Sequence, residues 1–314
     1  MNHWEMENVV HLGVTLKEAG FQISQVCCSR QSCFDFAARK NDTTVLVKVN
    51  SDVDNFSTHS ARELKVIADR VSAASLLISQ KTHGKSLEDD TVYSRNGIFV
   101  VTEKTIQNIV LKTANPLVYA GPGGYSVEVD GKLVKKRRKD LDLSIGKLAI
   151  MIGVSRRTIY GYERGMAKAS VKSAYKLAGT LGVPVAKPIN VFERTRKQRK
   201  CLLIRAHHAF IRKMLLKRVL RRFAFYDISP VHRAPFDFIL NVPKSRLAII
   251  GSVATRDEKD LEKRVEEITS LCTVIHALPV LITEKPGLAV KDLSCISLDE
   301  LSQVRIPEDL VNAA

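Results

Sequence analysis

The residues best able to do chemistry in this 314-residue chain are cationic and lie close together. Ser155-Arg156-Arg157-Thr158 is followed by Tyr160 and Arg164. A guanidinium can bond O6 and N7 of guanine together, and each good pair of this kind discriminates by about 1–3 kcal/mol. Lys135, Lys136, Arg137, Arg138 and Lys139 form an earlier run, and Lys147 stands between the two groups. Such a run suits phosphates, which reward charge without carrying sequence. Metal and thiol chemistry have weaker support. The cysteines are Cys27, Cys28, Cys33, Cys201, Cys272 and Cys295, with no CxxC pair and no zinc-finger spacing. Cys27, Cys28 and Cys33 are expected as reduced, half-buried thiols, and His207-His208 as a solvated helical pair. No catalytic residue, metal or cofactor is expected.

Short helices must position the cations. Lys132–Lys139 is expected as a first helix, and Leu141 to Ser144 as a turn. Ser144 caps a second helix, Ile145–Ile152, which buries Leu148 and Ala149. Gly153 suits the left-handed position that ends a helix, and Val154 fills the corner. Ser155 caps a third helix, Arg156–Arg164, in which Ile159 and Tyr162 face inward. Arg156, Arg157, Thr158 and Tyr160 then face outward, and backbone N–H groups at the capped start favour phosphate. Glu163 is expected to pin the turn that Gly165 completes. Ser170 caps a last helix through Leu181, with Val171, Ala174, Leu177 and Ala178 apolar.

Leu148-Ala149-x-x-Ile152-Gly153-Val154-Ser155-Arg156-Arg157-Thr158-Ile159-Tyr160-x-Tyr162-Glu163-x-Gly165 resembles the helix-turn-helix of lambda-repressor/Cro-type (XRE-like) regulators. Gly123-Gly124-Tyr125, an expected hairpin at Asp130-Gly131, Gly153–Thr158, Tyr162-Glu163 and Lys187-Pro188-Ile189 look like a family of archaeal regulators of similar length, in which this module is also central. The resemblance implies binding to double-stranded DNA. Many relatives place a phosphate-touching Gln just after the Ser of the second helix. Here that residue is Ile145, and Lys147 is expected to replace the contact.

The flanks read as α/β and repeat one another. Phe21 and Phe34-Asp35-Phe36 recur 202 residues later as Phe223 and Phe236-Asp237-Phe238. At the same offset Val45–Val47 matches Leu247–Ile249. The order helix, three strands, helix, strand resembles the PD-(D/E)xK nuclease fold. That resemblance implies an Asp on one strand and acid-x-Lys on the next, which together hold a metal and activate water. Asp35 and Lys48 occupy matching places, but Leu46 stands where the second acid belongs, with Glu63 the only nearby acid to substitute. The second copy keeps Asp237, with Ala248 and Ile250 expected at the other two positions. The expectation is a degenerate, non-catalytic nuclease-like fold.

Charge supports this division. Lys132–Arg222 holds 26 Lys and Arg against four acids, while the rest of the chain holds 23 against 29. The whole positive excess therefore sits mid-chain, as a polyanion partner would require. Met1–Val10 lacks the apolar core of an export signal, and the longest apolar stretch, Leu271–Ile282, is about half a membrane span. A cytoplasmic location is expected, without membrane association. The expected domains are an α/β domain at 1–119, a Gly/Pro linker and hairpin at 120–131, the all-α helix-turn-helix at 132–192, and a basic helix leading into a second α/β domain at 193–314. The expected function is sequence-specific transcriptional regulation, as a homodimer on a near-palindromic operator, with the transcription machinery as a further partner. The alternatives are a structure-specific nuclease that uses the helix-turn-helix for targeting, and a DNA-binding architectural protein.

Overall fold

A computed structural model describes residues 3–194, 214–242, 247–254, 258, 260–284, 293–304, 306 and 309–312. Much of the expected basic helix after residue 193, with Cys201 and His207-His208, lies outside the described residues. Helix α1 (His3–Glu18) buries Val9, Leu12 and Leu16 at helical spacing. Strands β1 (Gln22–Ile23), β2 (Phe36–Lys40) and β3 (Thr43–Val49) follow in antiparallel order. Ser57 caps helix α2 (Thr58–Arg70), and β4 (Ala74–Ile78) returns parallel to β3. Strand β4 is buried along its whole length, as a strand covered on both faces must be.

The middle segment begins with a small hairpin, β5 (Lys81–Thr82) and β6 (Lys85–Ser86), then β7 (Thr91–Arg95), β8 (Ile98–Val101) and helix α3 (Glu103–Lys112). Strands β9 (Val118–Gly121) and β10 (Gly124–Val127) form an antiparallel hairpin. Helices α4 (Gly131–Asp140), α5 (Ile145–Ile152) and α6 (Arg156–Glu163) precede strand β11 (Ala169–Ser170) and helix α7 (Val171–Leu181). Within this segment the strands order β8-β7-β9-β10-β11.

The C-terminal segment holds α8 (Met214–Arg222), β12 (Asp227–Pro230), β13 (Phe238–Asn241), β14 (Ala248–Ala254), α9 (Leu261–Ile275), β15 (Leu278–Thr283), β16 (Ser294–Ser297), α10 (Leu298–Gln303) and α11 (Asp309–Asn312). Its sheet order is β12-β13-β14-β15-β16, with the same sense of pairing as β1 to β4. By compactness the chain divides into Met1–Ile78 with Phe192–Ala314, and Ser79–Val191.

Three sequence expectations change. The hairpin turn lies at Pro122-Gly123, not at Asp130-Gly131. Asp130 instead caps α4, accepting from the N–H groups of Lys132 and Leu133 at 3.0 and 3.1 Å. The repeat also slips by two residues. Phe36 pairs with Val47, but Phe238 pairs with Gly251, because the β13–β14 connection is longer than Asn41-Asp42. The counterparts of Leu46 and Lys48 are therefore Ile250 and Ser252, not Ala248 and Ile250. Glu63, the acid expected nearby, commits its Oε1 to the backbone N–H groups of His232 and Arg233. Glu5 of α1 also bears on Asp35, its charge raising the Asp35 pKa.

The first and last segments clamp each other in both directions. Glu267 of α9 reaches back to the N–H groups of Cys28 and Ser29, both at 2.8 Å, and to the Ser29 hydroxyl at 2.5 Å. Arg30 bonds Asp237 at 3.0 Å and Glu258 at 2.6 Å, and Arg233 donates to Ser60 Oγ at 2.6 Å. Each segment thus lends a helix carboxylate and an arginine to the other, as the two partners of an isologous dimer do.

Candidate nucleic-acid interface

The helix-turn-helix owes its shape to caps and one shared core. Ser144, Ser155 and Ser170 each accept from the backbone N–H three residues on, at 3.0, 3.1 and 3.1 Å. Gly153 takes φ 81°, the left-handed conformation that lets the chain turn from α5 into α6. Val134, Leu148, Ala149, Ile152, Ile159, Tyr162, Leu177 and Leu181 form the core. The core also takes in Val127 and Val129, so the hairpin end is part of the module.

One buried ion pair locks α4 to α6. Arg138 donates from Nε and Nη2 to the two Glu163 oxygens at 2.5 and 3.2 Å, and from Nη1 to the Leu143 carbonyl at 2.8 Å. The bond to Glu163 raises the Arg138 pKa above its ordinary value. Glu163 therefore pins this corner, as its place in the motif suggests. Arg138 itself is a correction. It was expected at a phosphate, but it is 8% exposed and committed to Glu163. The periodicity of α4 carries that signal, because Arg138 lies four residues after Val134 on the buried face.

The remaining candidates lie at the surface. Lys135, Lys136 and Lys147 are exposed, as are Ser155, Arg156, Arg157, Tyr160 and Arg164, while Thr158 is half-buried. Ser144, Ile145, Gly146, Arg156, Arg157 and Tyr160 line a depression between the starts of α5 and α6. The Arg156 guanidinium lies against Gly146, where a Cβ would stand 2.9 Å from its Nε. The Arg164 guanidinium stacks on the Tyr160 ring at 4.6 Å from the centroid. The guanidinium groups of Arg156, Arg157 and Arg164 and the Tyr160 phenol thus share the outer surface at α6, a donor set suited to base edges and phosphates.

The nuclease-like positions have different chemistry. Asp35 accepts from Lys48 Nζ at 2.6 Å and from the Val49 N–H at 2.7 Å, and burial raises its pKa despite the lysine. Leu46 is buried where a second carboxylate would be needed. Asp237 meets Arg264 at 2.8 Å, Ser252 at 3.1 Å and the Val253 N–H at 2.8 Å. Cys27 and Cys33 are buried, and burial pushes both thiols up, whereas Cys28 is exposed. Among the described residues, no three His, Cys, Asp or Glu are grouped to hold a metal, and no helix is long and apolar enough to cross a membrane.

Comparison with known proteins agrees with this architecture. A PD-(D/E)XK superfamily domain matches residues 6–116, and a helix-turn-helix domain matches residues 134–187. Three archaeal proteins that share the name "Putative HTH-type transcriptional regulatory protein" match nearly end to end. The one from Methanosarcina barkeri is 31% identical over 95% of this chain and 92% of its own. The Halobacterium salinarum protein is 31% identical over 97% and 94%, and the Methanocella arvoryzae protein 32% over 94% and 91%. Matches of this extent and identity, over a nuclease-like N-terminal fold and a central helix-turn-helix, show that the chain belongs to this archaeal family of HTH-type transcriptional regulatory proteins.

Proposed function

We propose that this protein is a sequence-specific regulator that binds double-stranded DNA through α6, as a homodimer on a near-palindromic operator. The observation that carries the proposal is the outward placement of Arg156, Arg157 and Tyr160 at the capped start of α6. A helix so presented enters the major groove by its N-terminal residues. Ser155, Thr158 and Arg164 flank the readers. Lys135, Lys136 and Lys147 anchor phosphates, and Arg138 is dropped from that set. Two-fold operators match two-fold proteins, and among the described residues one chain presents one such helix, so a pair of chains reads both half-sites. The transcription machinery is the downstream partner, and the cytoplasm is the compartment.

We infer no DNA cleavage, because Asp35 is committed to Lys48 and the Val49 N–H, and the apolar Leu46 stands two residues before that lysine, where the motif needs an acid.

The test uses the full chain on genomic fragments selected by binding, and on scrambled duplex, at several salt concentrations. Arg157→Ala is expected to cost about 1–3 kcal/mol on the selected site and much less on scrambled DNA. Lys136→Ala is expected to weaken both alike and to shallow the salt slope by about 0.9. Equal losses on both duplexes for every outward residue of α6 would replace the regulator with an architectural DNA binder. Sedimentation of the complex gives the number of chains per site.

A further inference from the structure

We infer that the β9–β10 hairpin acts as a wing that seats Lys168 on the Tyr119 ring, from where the lysine contacts a DNA phosphate outside the segment read by α6. This inference rests on the proposed DNA-binding function and adds a contact to it.

Lys168 lies in the short loop that leaves α6, one residue before β11. Its Nζ sits 3.5 Å from the centroid of the Tyr119 ring. A ring face attracts the ammonium without neutralising it, so the full charge remains available to an anion. A carboxylate partner would cancel that charge. The seat also narrows the rotamers of a long side chain, which lowers the ordering cost of binding.

The seat is itself fixed. Tyr119 pairs with Ser126 across β9–β10, and Ser126 pairs with Ser170 across β10–β11. The three residues stand in one row, two positions from Lys168. The neighbouring pair, Val127 and Ala169, is buried in the same core as Leu148, Ile159 and Tyr162 of the reading module. On its other side Tyr119 pairs with Val92 of β7 and meets the Phe99 ring at 6.3 Å. The hairpin is therefore tied rigidly to the helices, and Lys168 moves with α6.

Charge names the occupant. Residues 131–191 carry 14 Lys and Arg against three acids, a balance that calls for a polyanion. The same duplex that α6 enters supplies phosphates beyond the ends of the helix.

Full-length variants are titrated with a random-sequence 40-base-pair duplex across salt concentrations, with Arg157→Ala on selected fragments as a separate control. Lys168→Gln is expected to shallow the salt slope by about 0.9. Tyr119→Leu is expected to raise Kd about two- to fivefold through loss of the seat, and Tyr119→Phe to bind as wild type because the ring remains. Thermal melts identify a misfolded Tyr119→Leu, and in that event Lys168→Gln and Tyr119→Phe decide. An unchanged slope for Lys168→Gln overturns the wing, as does a Tyr119→Phe protein that is folded yet as weak as Tyr119→Leu. If Arg157→Ala loses site preference while Lys168→Gln binds as wild type, the wing alone falls. If the wild type binds no duplex, the regulator reading falls first.

Discussion

Arg138 and Glu163 are 25 residues apart in sequence, yet their paired side chains keep only 10% and 5% of their surface. Removing one partner of a buried pair leaves the other charged and unsolvated, at a cost of about 3–5 kcal/mol. Glu163→Ala is therefore expected to lower unfolding stability by about 3 kcal/mol in a denaturant titration. It should weaken DNA binding only through loss of folded protein. A stable Glu163→Ala that no longer binds would instead place the carboxylate in the interface. The run Lys135–Lys139 looks uniform as text, but helical periodicity sorts it. Arg138 turns to the core, Lys135, Lys136 and Lys139 turn to solvent, and Arg137 donates to the Leu181 carbonyl at 3.0 Å.

At the scale of elements, Gly131 shows how closely α4 and α6 meet. A Cβ there would lie 2.3 Å from the Tyr162 carbonyl oxygen and 2.6 Å from that of Glu163. Backbone cannot yield as a flexible side chain does, so Gly131→Ala is expected to destabilise by about 1–3 kcal/mol. Calorimetry of the full chain, read as a drop in Tm, checks this. The sequence made the helices legible because a serine caps the start of each apolar stripe and Gly153 stops the first. It misplaced the hairpin because Asp-Gly has two physical uses. The pair favours a tight turn, but here Asp130 satisfies helix N–H groups and Gly131 admits a neighbouring backbone. Strand β11 went unread, since two residues carry no periodicity. The outward residues of α6 were legible from the same stripe that buries Ile159 and Tyr162, whereas the seat of Lys168 depends on a strand pairing that no local pattern encodes.

At the scale of the molecule, the α/β segments share one ionic cluster. Burial raises the Glu258 pKa, but Arg264 and then Arg30 outweigh it and leave the carboxyl below its ordinary 4.5. A lowered carboxyl binds fewer protons folded than unfolded. It therefore adds stability at neutral pH, and this is lost as pH falls through the folded value. Arg30→Met is expected to flatten that loss, which denaturation at neutral pH and at several pH values below 4.5 measures. An equally steep loss would show that Arg264 alone sets the effect. Asp35 shifts the other way, and its nearest cation is Lys48. No cutting of duplex, flap or four-way DNA is expected with magnesium or manganese. Metal-dependent cleavage abolished by Asp35→Ala would restore a nuclease.

The reciprocal clamp also has a consequence in time. Ser29 waits for a carboxylate 238 residues downstream. At synthesis rates of roughly 5–20 residues per second, the N-terminal sheet is on the ribosome for about 10–50 s before that carboxylate exists. Throughout that interval the N–H groups of Cys28 and Ser29 have only water to bond. Nascent chains stalled before Arg264 should therefore be cut by protease in the loop around Arg30, and chains released whole should resist.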